Sequence, residues 1–110
     1  MATVSEVIHI HEQLASTMTR MVEQARARQW EQLPALDARC TIIMDRLRGM
    51  GPREQLSGDD RARITGLLTR IRSDQEELCG LLRPQLTRLM RKIEQLQRTG
   101  NLSRAYGPLS

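Results

Sequence analysis

The sequence predicts an all-α protein: an antiparallel three-helix bundle with a long third helix and a short C-terminal fourth helix or segment. Three observations lead there. Apolar residues recur at alternating steps of three and four, the spacing of an amphipathic helix. Glycine and proline cluster at only a few places, so the periodic stretches between them are long. Aromatic content is 2% with no Phe, which leaves burial to Leu, Ile, Val, Met and Ala and suits helix packing better than an aromatic-rich sandwich. At 110 residues the chain is expected to form one domain, residues 1–110.

Helix 1 is expected at about residues 4–26, where Val4, Val7, Ile8, His11, Leu14, Ala15, Met18, Met21, Val22 and Ala25 keep one face. The stretch Ala27-Arg28-Gln29 breaks the pattern. A second stripe, Trp30, Leu33, Leu36, Cys40, Ile43, Met44 and Leu47, places helix 2 at about residues 30–48. Pro34 fits only in or near the first turn, where its missing N–H costs little.

Gly49-Met50-Gly51-Pro52 is the strongest punctuation in the chain. Ser57 or Asp59 can cap the next helix, and the acids Asp59 and Asp60 suit the positive end of its dipole. Helix 3 is expected at about residues 60–98, carried by Ile64, Leu67, Leu68, Ile71, Leu78, Leu82, Leu86, Leu89, Ile93 and Leu96. Pro84 lies inside it and predicts a kink near Gly80 to Pro84, not two helices, because Leu78, Leu82, Leu86 and Leu89 stay in register across it. Thr99-Gly100 reads as a C-cap, leaving residues 101–110 as the last segment.

Net charge is +4, from sixteen Arg and one Lys against thirteen acids, and reads as a mild excess without a basic tail. No stretch is long and apolar enough to span a membrane, and Met1 to Glu6 lacks the features of a signal peptide, so a cytoplasmic protein is expected. Cys40 and Cys79 read as small buried hydrophobes in helix packing. His9 and His11 point about 200° apart on a helix and cannot chelate one ion, so His11 reads as a satisfied core residue. Asp59-Asp60 and Glu76-Glu77 are adjacent and divergent. No phosphate loop, nucleophile elbow or paired-cysteine motif is present, so neither an enzyme nor a cofactor is expected.

The helices are unequal. At ~1.5 Å per residue helix 3 would reach ~58 Å and helix 1 only ~35 Å, so Leu86, Leu89, Met90, Ile93 and Leu96 should overhang the bundle uncovered. Either residues 102–109 fold back as a fourth helix and complete the core, or that weakly held segment competes with a client for the same groove. Two other functions stay open: a self-assembling coiled-coil adaptor, and a small basic nucleic-acid-associated protein, although two distant aromatics make a poor stacking platform.

The chain resembles the FliT-type flagellar export chaperones over nearly its whole length. The resemblance rests on Arg28-Gln29-Trp30-Glu31-Gln32-Leu33, on Asp74-Gln75-Glu76-Glu77-Leu78 followed by Gly80-Leu81-Leu82, and on the ending Asn101-Leu102-Ser103-Arg104-Ala105-Tyr106-Gly107-Pro108-Leu109-Ser110. It departs from the family at Pro34, at Pro84 and in stopping soon after Tyr106.

The resemblance implies a cytosolic protein that binds the C-terminal region of the filament-cap protein FliD before export. It also implies delivery of that client to the export ATPase complex, FliI with FliJ, and to the export gate. In enterobacterial members it implies binding of the flagellar master regulator FlhDC through FlhC. On this reading Ile43, Met44, Leu47, Leu68, Ile71, Gln75, Leu78 and Leu82 are the client-groove candidates, and Leu102, Ala105, Tyr106 and Leu109 form the masking segment. No nucleic acid is expected as a partner, and a homodimer is left open.

Overall fold

The computed structural model describes residues 3–50 and 55–105, and every regular element among them is helical. Helix α1 spans Val4–Arg26, a 3₁₀ turn covers Trp30–Gln32, α2 spans Leu33–Arg48, and α3 spans Gly58–Ala105. The chain divides into two compact units, Met1–Cys79 and Gly80–Ser110.

Local chemistry accounts for the helix ends in the first unit. Thr3 caps α1, its hydroxyl accepting the Glu6 N–H at 3.1 Å. At the other end the Arg28 N–H reaches the Ala25 carbonyl at 3.1 Å and the Gln29 N–H reaches that of Gln24 at 2.9 Å. These are the two bonds of a Schellman motif, with Arg28 in the left-handed position at φ 59° where glycine is usual. The expected second helix therefore opens as a 3₁₀ turn, and Pro34 sits in the first turn of α2, where no intrahelical bond is lost. Ser57 caps α3: its oxygen accepts the Asp60 N–H at 3.1 Å and its hydroxyl donates to Asp60 Oδ2 at 2.9 Å.

The core of this unit is aliphatic and centred on α1. Val7, Ile10, Leu14, Ala15, Met18, Met21, Val22 and Ala25 are buried on α1, with Leu33, Cys40 and Ile43 on α2 and Ile64 and Leu78 on α3. The sequence reading missed Ile10 and Thr17. Both are buried because α1 faces α2 and also exchanges hydrogen bonds with α3, so its covered arc is wider than one stripe. Thr17 satisfies its hydroxyl on the Gln13 carbonyl at 2.8 Å. His11 is buried and donates from Nδ1 to the Val7 carbonyl at 2.7 Å, the satisfied core histidine the pattern suggested.

Cys40 lies against two thioethers, Met21 Sδ at 3.8 Å and Met18 Sδ at 4.0 Å. Cys79 departs from expectation: it is exposed, because its neighbour Leu78 takes the inward position and the next residue turns about 100° away.

The third helix also corrects the sequence reading. It runs through Thr99 and Gly100 to Ala105, so Leu102 and Ala105 belong to α3 and no separate fourth helix forms among the described residues. Gly100 does not adopt the left-handed backbone that a C-cap needs. A glycine inside a helix costs only about 1 kcal/mol against alanine, a propensity effect too small to end a helix by itself. Pro84 lies inside the same continuous helix. Tyr106 and Leu109 lie outside the described residues.

Candidate functional site

Unit one is tied together across its surface by polar pairs between α1 and α3. Arg63 Nη2 donates to Glu12 Oε1 at 2.7 Å, Arg70 Nη2 donates to Thr19 Oγ1 at 2.7 Å, and that hydroxyl donates to Asp74 Oδ2 at 2.8 Å. Arg26 grips Glu77 with two donors, Nε at 2.5 Å and Nη2 at 2.7 Å. The partners rise together along both helices, 12 with 63, 19 with 70 and 74, and 26 with 77. These contacts accompany the rotation of α3 that buries Ile64, which packs with Val7 of α1, and Leu78; being exposed pairs, they are the weaker term beside that burial.

The eight groove candidates separate into three groups. Ile43 and Leu78 are buried in the core, where they support a surface without forming its contact layer. Leu47 and Ile71 are half-buried, as is Leu82 in the second unit. Met44 and Leu68 are exposed at 43% and 46%, and Gln75 is exposed. Met44 lies about 60° around α2 from the centre of its buried stripe, and Leu68 shares a face of α3 with Gln75 seven residues on. Among the candidates in this unit the reachable apolar side chains are therefore Met44 on α2 and Leu68 on α3.

Ile42 is exposed at 59% and was missed by the sequence reading. The signal is its phase: at ~100° per residue Ile42 lies roughly 150° around α2 from the centre of the stripe formed by Leu33, Cys40 and Ile43, which are buried.

The second unit presents a row of apolar side chains to solvent: Leu86, Leu89, Met90, Ile93 and Leu96. The sequence reading anticipated this row as an uncovered stripe, and all five are exposed. It did not anticipate the charge around them. Residues 80–110 hold six cations, Arg83, Arg88, Arg91, Lys92, Arg98 and Arg104, against the single acid Glu94, a net charge of +5. Residues 1–79 hold eleven cations and twelve acids, a net charge of −1. The positive excess thus belongs to the second unit, a correction to the reading of a mild excess without a basic tail. Arginines spaced three to seven apart never form a block in the sequence and so escaped notice.

A helical chain with a packed aliphatic core and large apolar side chains turned outward has the make-up of a protein that works by binding other proteins. Comparison with known proteins gives the family. A family model described as "Flagellar protein FliT" matches residues 8–108, and the chain belongs to the FliT family. Among solved structures it is similar to flagellar protein FliT from Bordetella bronchiseptica, at 29% identity and a TM-score of 0.71, over 77% of this chain and 96% of that one. No curated protein matches it.

The family is one of flagellar chaperones and is not known for enzymatic activity. Membership supports a role as a flagellar export chaperone. No described helix is long and apolar enough to cross a membrane.

Proposed function

We propose that the chain is a cytoplasmic export chaperone, acting as one domain built on an antiparallel three-helix bundle, that binds the C-terminal region of the filament-cap protein FliD. It keeps that client from assembling early and delivers it to FliI with FliJ and to the export gate. It performs no catalysis. Beyond family membership, the observation that carries this reading is the exposure of Met44 and Leu68 on helices that bury Ile43 and Leu78 in the core. A chaperone for an unfolded client needs apolar side chains that are held in place and still reachable, and an amphipathic client segment would lay its own apolar face on them. Leu47, Ile71 and Gln75 extend the proposed surface; Leu82 lies in the second unit.

Titration of the full chain with a FliD C-terminal peptide, read by calorimetry, tests the proposal. Saturable binding in the micromolar range or tighter is expected, weakened at least tenfold by Met44→Asp with Leu68→Asp. No saturable binding overturns it. Masking of this surface by residues 102–109 is a further part of the proposal: a chain ending at Gly100 should bind the client more tightly, and equal or weaker binding removes masking from the account. Regulation through FlhC and formation of a homodimer rest on the family resemblance, and are tested by co-purification with FlhDC and by light scattering.

A further inference from the structure

We infer that the second unit carries its own docking surface, separate from the client groove, for a helical segment of another protein with an apolar seam and acidic flanks. Leu86, Leu89, Ile93 and Leu96 follow each other at steps of three, four and three, the spacing of the a and d positions in a two-helix seam. They are exposed at 58%, 53%, 46% and 72%, and Met90 beside them at 62%. Five large side chains in one row on a single helix make a contiguous apolar face, unlike the scattered leucines of an ordinary surface.

The charge on this unit says what covers the face. In the same register the positions flanking the seam hold Arg83, Gln85, Met90, Lys92, Gln97 and Thr99, two cations and no acid. Flanking residues choose the partner in such seams, because like charges placed opposite one another are repelled and opposite charges pair. A second copy of this chain would therefore bring a unit of net charge +5 against another and gain no flanking ion pair. An acidic partner helix gains Arg83 and Lys92 as partners and lowers the field of the remaining cations.

An anionic membrane shares the attraction to positive charge and to exposed leucines. The spacing of three, four and three, which matches the seam of a partner helix, favours the protein occupant, and the vesicle arm of the test separates the two. The inference stands apart from the chaperone reading, since none of the proposed groove residues takes part.

The full chain is titrated with three probes. One is a designed three-heptad peptide with Leu at a and d and Glu at e and g. The second carries Lys in place of those Glu, and the third carries Ser in place of those Leu. Binding of the first at least tenfold tighter than the other two is expected, with loss of at least tenfold in Leu89→Ser/Ile93→Ser. Arg83→Glu/Lys92→Glu changes only exposed positions and should shift the preference toward the lysine peptide, while Met44→Asp/Leu68→Asp should leave binding of the acidic peptide unchanged. Equal binding of the acidic and basic peptides overturns the inference, as does a preference unmoved by the charge reversal. So do capture by anionic phosphatidylserine vesicles without peptide binding, and a self-associated dimer that excludes the acidic peptide.

Discussion

Arg26 and Glu77, 51 residues apart in the chain, form a two-pronged ion pair in which Nε and Nη2 of the guanidinium reach separate oxygens of one carboxylate. Each residue sits one turn or less from the end of what it joins: Arg26 closes α1, and Glu77 precedes Leu78, the last buried residue of α3 in this unit. The pair is made in the rotation of α3 that buries Leu78 and leaves Cys79 outside.

The pair makes stability depend on pH in one direction. The hydrogen bond from Arg26, more than its charge, holds the Glu77 carboxyl below the ordinary glutamate range, with desolvation working against it. A lowered folded value means the contribution is complete above the unfolded value of about 4.3 and is lost as pH falls through the folded one. Arg26 stays charged throughout, its own affinity for the proton raised by Glu77. Glu77→Gln should therefore melt below wild type at pH 7, and the two melting curves should converge in strong acid. Both side chains are well exposed, so 1 M salt should also narrow the gap at pH 7. A gap that widens on acidification would contradict this account.

Arg28 holds a left-handed backbone at the end of α1 without the freedom of glycine. For a residue with a Cβ that conformation costs about 1–2 kcal/mol, part of which glycine returns by gaining unfolded-state entropy. Arg28→Gly should raise stability by about 0.5–1 kcal/mol in urea titrations, with no change in helical content by circular dichroism.

Burial separates two leucines eleven residues apart on one helix. Leu78 is 6% exposed and Leu89 is 53% exposed. Leu78→Ala should cost about 2–4 kcal/mol by opening a cavity, and Leu89→Ala should stay within about 0.5 kcal/mol. Chemical denaturation of the two variants side by side measures the difference.

The two thiols should differ in reactivity. Cys40 is packed on Met18 and Met21, and desolvation followed by the nearby charge of Asp37 pushes its thiol up, so little thiolate forms. Cys79 is exposed. Brief maleimide treatment of the native chain at pH 7.5, read by mass spectrometry after digestion, should label Cys79 and leave Cys40 unmodified until denaturant is added. Equal labelling would mean that the Cys40 site opens readily.

The helix class, the ends of α1, the place of Pro34 in α2 and the buried His11 were legible in the sequence because each depends on residues within one or two turns. Spacing of apolar side chains and the conformational limits of proline are local properties, and they act before any tertiary contact forms. The family was legible for a similar reason: the tail from Asn101 and the stretch around Asp74 are runs of adjacent residues. The same locality misled at Gly100, where a cap signal was read into a glycine that the helix passes through.

Local patterning along the chain is enough to specify an all-helical protein with an aliphatic core and more apolar surface on its third helix than a core can use. Which residues make up that surplus depends on packing between helices. Ile64 and Leu78 went inward while Leu68 on the same periodic stripe stayed out, because a stripe wider than one contact face must divide. The division is the one in which Ile64 packs with Val7 and Arg63, Arg70, Asp74 and Glu77 meet partners on α1. Those partners lie 51 to 55 residues apart, a separation at which spacing along the chain carries no information about contact.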